Sequence, residues 1–170
     1  VQSQKVVALI LGGPNKYYSF DNEEISKIFN QIKESFIYNG YKAIIVPSMR
    51  TPKKTIELAK KEFENDGYVV TEVNKQAYLS SLAIASNIVI TCDSTSMISE
   101  AAISGKPIFV AHMKNKRNNY RFKKFFKLFK SLNIIKDLEY SLEKWNYDKL
   151  NETDRISRYI KKQLKNYDFS

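Results

Sequence analysis

The chain has 170 residues, 43% hydrophobic and 27% charged, a balance that excludes disordered and fibrous classes and fits one domain. Lone Cys92 excludes an internal disulfide framework and suits a reducing, cytoplasmic compartment, while lone His112 excludes a site built on several histidines. The formal charge of +10 is confined: residues 1–111 carry 12 Lys/Arg against 11 Asp/Glu, residues 112–170 carry 16 against 7, which disfavours a dedicated nucleic-acid binder.

Five short apolar runs, residues 6–11, 43–46, 68–70, 88–91 and 108–111, read as strands separated by helix-length stretches. Residues 22–38 place Ile25, Ile28, Phe29, Ile32 and Phe36 at helical spacing. A second helix is expected over 52–63, with Thr51 as N-cap and Pro52 in its first turn. Residues 95–104 read as a short helix closed by Gly105 and Pro107. Residues 119–132 read as a helix with Phe122, Phe125, Phe126, Phe129 and Leu132 on one face, and 153–164 as a final amphipathic helix. No apolar run reaches the roughly 18 residues that span a bilayer, and no secretory signal opens the chain. The chain begins at Val1 rather than methionine, so an excised domain is expected.

Strands that alternate with helices, apolar on both faces, imply a three-layer α/β fold: a Rossmann-like parallel sheet. Right-handed crossovers with one reversal predict the order 3-2-1-4-5, open to a sixth strand. The switch point then lies between the first and fourth strands. The loops at Gly12-Gly13-Pro14-Asn15 and Cys92-Asp93-Ser94 open there, at the carboxyl edge where such sheets bind ligands.

After the fourth strand, Asp93, Ser94, Thr95 and Ser96 precede or begin a helix, whose free amides and dipole favour an anion such as phosphate. Glu100, one turn after Ser96, is placed to accept from a ribose diol. The plainer alternative is that Asp93 or Ser94 caps the helix and Glu100 is a solvated charge. Gly12 and Gly13 fit a close backbone approach, a positive φ or an ordinary turn. Arg50 is either a phosphate fork or a surface arginine. Tyr78 follows the third strand as either a stacking platform or ordinary packing, and Cys92 and His112 read as structural. No Asp-x-Asp pair is present, so no metal is required, and no other cofactor is expected.

Eight bases and no acid lie between Lys114 and Lys130. An AT-rich coding preference accounts for 23 Lys against 5 Arg but not for their clustering. Either the lysines of this helix stand in water above a buried apolar face, or its basic rim meets an anionic membrane surface.

The pattern Asp93-Ser94-x5-Glu100-Ala101-x3-Gly105-Lys106-Pro107 resembles the donor half of GT-B enzymes, including the non-hydrolysing epimerases of UDP-N-acetylglucosamine. More closely, four blocks resemble the mitochondrial fission family of the elongated-mitochondria type, whose bacterial branch is often labelled predicted nucleoside-diphosphate-sugar epimerase. The blocks are Leu11 through Lys16, Ser48-Met49-Arg50-Thr51-Pro52, Asn74 with Tyr78 through Ala83, and Thr91 through Pro107. Met49 departs from the family pattern of two arginines before Thr-Pro, so an anion clamp there rests on Arg50.

The resemblance implies that residues 1–170 are a single nucleotide-sugar-binding domain, the C-terminal half of a GT-B protein whose N-terminal half is its partner. On that implication, Gly12, Gly13, Ser48, Arg50, Asp93, Ser94, Thr95 and Ser96 hold nucleotide phosphates. Glu100 grips the ribose, and Asn74 and Tyr78 hold the base. Glycosyltransferase-like donor binding is then expected, inactive in the isolated half; a nucleoside-diphosphate-sugar epimerase and a non-enzymatic membrane adaptor are the alternatives.

Overall fold

The computed structural model describes residues 3–138; the helix expected over 153–164 lies outside them. Six parallel strands form one sheet in the order β3-β2-β1-β4-β5-β6. They are β1 (Val6–Ile10), β2 (Lys42–Val46), β3 (Gly67–Val69), β4 (Asn87–Thr91), β5 (Ile108–Ala111) and β6 (Ile135–Asp137). The predicted five-strand order is observed, and β6 extends it. Every residue of β4 and β5 is buried. Because successive strand side chains point to opposite faces, both faces of the sheet are covered.

The intervening helices are α1 (Asn22–Ser35), α2 (Lys53–Glu62), α3 (Lys75–Ile84), α4 (Thr95–Ala102) and α5 (Tyr120–Ser131). Asp21 Oδ1 accepts from the Glu24 amide at 2.9 Å and starts α1, whose Ile25, Ile28, Phe29 and Ile32 enter the core. The helical spacing continues to residue 38, but α1 stops at Ser35. A 3-10 turn, Ile37–Asn39, follows and closes at Gly40 with φ +87°. Only a residue without Cβ adopts that conformation freely.

Thr51 does not cap α2, contrary to expectation. Pro52 occupies the N-cap position, and the Thr51 hydroxyl turns inward to the Gly12 carbonyl at 2.6 Å. The buried carbonyl at the end of β1 needs a donor more than the exposed start of α2 does.

The apolar face of α5 is buried as predicted. Phe125 stacks on Phe129 with centroids 4.2 Å apart, and Phe122 meets the Tyr18 ring edge-on at 5.4 Å. Burying each phenylalanine contributes about 1.5–3 kcal/mol. At the far end of this helix Asp137 accepts from Lys130 Nζ at 2.7 Å and pairs with His112, tying α5, β5 and β6 together.

Lys106, in the Gly-Lys-Pro turn before β5, donates to the carbonyls of Leu82 and Ala83 at 2.6 and 2.5 Å, supplying the C-terminal end of α3 with donors. Lys106→Met keeps the apolar stem and removes both bonds. Urea unfolding is expected to show a loss of about 1 kcal/mol; an unchanged midpoint would dismiss the capping role.

Candidate functional site

The site forms where β1 and β4 end side by side, and backbone contacts come first. The Gly12 amide donates to Thr91 Oγ1 and the Gly13 amide to Asp93 Oδ2, both at 2.9 Å. These bonds bring the two strand tips together. A Cβ on Gly12 would lie 2.0 Å from Asp93 Oδ2, and one on Gly13 would lie 2.2 Å from the Arg50 backbone oxygen. Close approach thus explains both glycines, and the groups approached belong to the protein itself. Neither has a positive φ, which among described glycines is confined to Gly40 and Gly105.

The loop after β2 completes this frame. Ser48 Oγ lies 3.1 Å from the Gly12 carbonyl that Thr51 also contacts. Arg50 donates to Asp93 Oδ2 at 3.0 Å and to the Gly13 carbonyl at 2.9 Å, strapping the tips of β1 and β4. Its side chain remains 44% exposed, whereas that of Asp93 is wholly buried. Burial pushes the Asp93 carboxyl above the usual carboxylate range; hydrogen bonds from Thr91 and Gly13, and the Arg50 charge, oppose that shift.

Neither Asp93 nor Ser94 caps α4. Ser94 stands at the N-cap position without a side-chain hydrogen bond to the helix, and Asp93 faces Gly13 and Arg50. Among the described residues no side chain accepts from the amides of the first turn of α4. A cavity of about 540 Å³ opens at this point, lined by Pro14, Asn15, Lys16, Arg50, Asp93, Ser94, Thr95 and Ser96. Lys16, the exposed edge of Arg50, a helix start and three hydroxyl residues give it an anion-accepting character, although the Asp93 carboxyl already takes one face of the Arg50 fork. The sequence reading of the site omitted Lys16, although it lies within a conspicuous Gly-Gly-Pro-Asn-Lys run.

A second cavity, about 420 Å³, lies beside the first turn of α4. It gathers Asn74, Tyr78 and Glu100, together with Ser48, Met49, Val73, Lys75 and Met97. Asn74 Oδ1 accepts from the Ala77 amide at 2.7 Å and starts α3, so this residue both caps a helix and lines the cavity. The Tyr78 hydroxyl is buried without a hydrogen-bond partner among the described residues; burial, then the Glu100 charge, raise its pKa above the usual phenol value. Glu100 itself is exposed. Met49 and Met97 supply soft apolar surface, which no spacing rule singles out.

Of the residues expected to bind nucleotide, Arg50, Asp93, Ser94, Thr95 and Ser96 line the first cavity, and Ser48, Asn74, Tyr78 and Glu100 the second. Gly12 and Gly13 line neither and act as frame. Cys92 is buried behind the site, accepts from the Met113 amide at 3.3 Å, and has its thiol pushed up to about 12 by burial, as a structural cysteine does. Among the described residues no group of three or more His, Cys, Asp or Glu side chains is placed to hold a metal ion. No helix among them is long and apolar enough to cross a membrane.

A family model described as Mitochondrial fission ELM1 matches residues 1–164. The chain belongs to the mitochondrial fission ELM1 family. One relative, Uncharacterized protein RP120 of Rickettsia prowazekii (strain Madrid E), is 31% identical over 174 residues, covering 95% of this chain and 48% of its own length. The Mitochondrial fission protein ELM1 of Arabidopsis thaliana is 28% identical over 125 residues, covering 71% of this chain and 29% of its own length. The chain thus spans about half, or less, of these ELM1-family relatives. Among solved structures it is similar in fold to a UDP-GlcNAc 2-epimerase from Neisseria meningitidis bound to UDP-GlcNAc, with a TM-score of 0.51 and 13% identity over 95% of this chain and 37% of that one. The likeness to this enzyme concerns architecture, and the ELM1-family chain has the Rossmann-like parallel sheet expected of it.

Proposed function

We propose that this ELM1-family chain is the nucleotide-sugar-binding half of a glycosyltransferase-like GT-B protein. The observation that carries this reading is the pair of unlike cavities on either side of one uncapped helix start. The cationic cavity suits a diphosphate: amides of the α4 first turn and the Ser96 hydroxyl donate to its oxygens, and Lys16 and the exposed edge of Arg50 balance its charge. The neighbouring cavity suits a nucleoside. Glu100 accepts from the ribose hydroxyls, and Tyr78, Met49 and Met97 offer apolar surface to the base. Positive charge and helix-end donors also stabilise a departing diphosphate, which is the chemical help this half supplies. The acceptor and any general base belong to the other half of the protein.

The name of the Arabidopsis relative supports a second reading, a non-enzymatic adaptor that keeps the fold for protein contacts. Nucleotides separate the two. At one hundred times its dissociation constant, UDP, GDP, ADP or a corresponding sugar nucleotide is expected to stabilise the chain by about 2.7 kcal/mol. No thermal response to any of them, in this chain and in one extended to its relatives' length, would leave the adaptor.

Glu100→Ala tests the ribose contact. Losing a charge-assisted pair worth about 1.5–3 kcal/mol weakens binding of the stabilising nucleotide roughly 10- to 100-fold. Its 2′,3′-dideoxy analogue is expected to bind parent and variant alike. Equal loss for both ligands would remove Glu100 from the ribose.

A further inference from the structure

The basic segment after β5 is fastened to the loop that lines the cationic cavity. Tyr18 and Asn115 form an antiparallel bridge, and the Lys116 amide donates to the Tyr17 carbonyl at 2.6 Å. Asn119 Nδ2 donates to the Tyr18 hydroxyl at 3.2 Å, and the Tyr17 ring lies 5.0 Å from that of Phe122. Lys16, on the cavity rim, is therefore two residues from a strand bridge whose other side carries Lys114, Lys116 and Arg117. From there α5 runs back along the sheet with Arg121, Lys123, Lys124 and Lys127 exposed.

The sequence has no Asp or Glu between Glu100 and Asp137. None of these seven bases has an ion pair to a carboxylate among the described residues. Lys130 differs, being held by Asp137. A high density of like charge on one flank carries a repulsive cost, which an opposing charged surface removes.

The geometry points to an anionic lipid bilayer as that surface. We propose that the exposed bases of the 114–117 loop and of α5 dock the chain on anionic headgroups, with the cationic cavity near headgroup level. All four phenylalanines of α5 are buried, so the helix presents charge without an apolar face to insert, and contact is made at the headgroups. A single-stranded nucleic acid would need a groove with stacking faces. The flank offers a helix surface with one exposed aromatic residue, Tyr120, whose ring already has Lys124 Nζ 5.1 Å from its centroid. Docking does not rest on the nucleotide reading, because no Glu100 or α4 contact enters it.

Flotation of the full chain with vesicles tests the proposal. The chain is expected to bind phosphatidylglycerol-containing vesicles at low ionic strength, to leave pure phosphatidylcholine vesicles unbound, and to be released by salt. Each base near such a surface multiplies partitioning roughly fivefold, so the triple variant Lys123→Gln, Lys124→Gln, Lys127→Gln is expected to lose about 100-fold. A control variant, Lys27→Gln, Lys54→Gln, Lys61→Gln, removes the same charge elsewhere and is expected to lose far less. Parent-like melting of both confirms folding, and UDP binding by the triple variant is measured separately so that either proposal can fail alone. Equal loss in the two triple variants, no preference for anionic vesicles, or tighter binding to a DNA or RNA oligonucleotide at the same ionic strength would each overturn the lipid assignment.

Discussion

Gly13→Ala is expected to lower the melting temperature by roughly 6–12 °C and to abolish nucleotide stabilisation. Its new Cβ would stand 2.2 Å from the backbone oxygen of Arg50 and 2.5 Å from the backbone carbon of that residue. Backbone cannot swing aside as a side chain can. The loop after β2 must therefore move away from the tip of β1, stretching the Arg50 strap and the Ser48 contact to Gly12. Overpacking of this kind costs about 3 kcal/mol, and each kcal/mol lowers the midpoint about 2–4 °C in a domain of this size. Gly40→Ala is the matched comparison: φ is +87° with nothing within 4 Å of the new methyl, so conformation alone is charged, about 1–2 kcal/mol. If Gly13→Ala melts no lower than Gly40→Ala, the strand-tip frame is looser than described.

Arg50→Met is expected to cost about 2 kcal/mol near neutral pH, less than the 3–5 kcal/mol of a fully buried pair because Arg50 is half exposed. The loss falls mainly on Asp93, left buried with its charge. Its sign with pH follows from linkage. Burial has already raised the folded-state pKa of Asp93 above its unfolded value, and removing the Arg50 charge raises it further. A carboxyl with a raised folded-state pKa costs stability above that pKa, and the cost is relieved as pH falls through it. The gap between variant and parent should therefore narrow on going from about pH 7.5 to about pH 5. Adding Asp93→Asn should recover most of the neutral-pH loss, since both charges are then gone. Urea midpoints at the two pH values decide it; a gap that stays constant would mean that Asp93 bears no charge cost.

Much of the layering was legible because each strand lying beneath a helix on both faces must be apolar throughout, as residues 88–91 are. β6 was harder to see. It lies at the sheet edge, has three residues, and contains Lys136 and Asp137, so it leaves no apolar run. Thr51 was misread because local capping rules cannot register a carbonyl 39 residues away that needs a donor. The same distance problem hid the partner of Arg50: the sequence offered it to phosphate or to solvent, while Asp93, 43 residues on, takes one face of its fork. The gathering of Asn74, Tyr78 and Glu100 was implied by family likeness. No periodicity contains it, because it depends on how α3 and α4 sit against the sheet. Charge clustering was the clearest signal, since neither burial nor topology is needed to count acids.

The position of β1 has a consequence for how the protein is made. Its residues pair on one side with Lys42–Val46 and on the other with residues 87–90. A ribosome must therefore release a further 79 residues before the Gly12 amide meets Thr91, and 80 before the Gly13 amide meets Asp93. Until then the first three βα units expose an apolar strand edge, the state in which nascent parallel sheets aggregate or recruit chaperones. The corner that would hold a ligand closes only when β4 reaches β1, so a bound anion would favour the closed fold over its precursors.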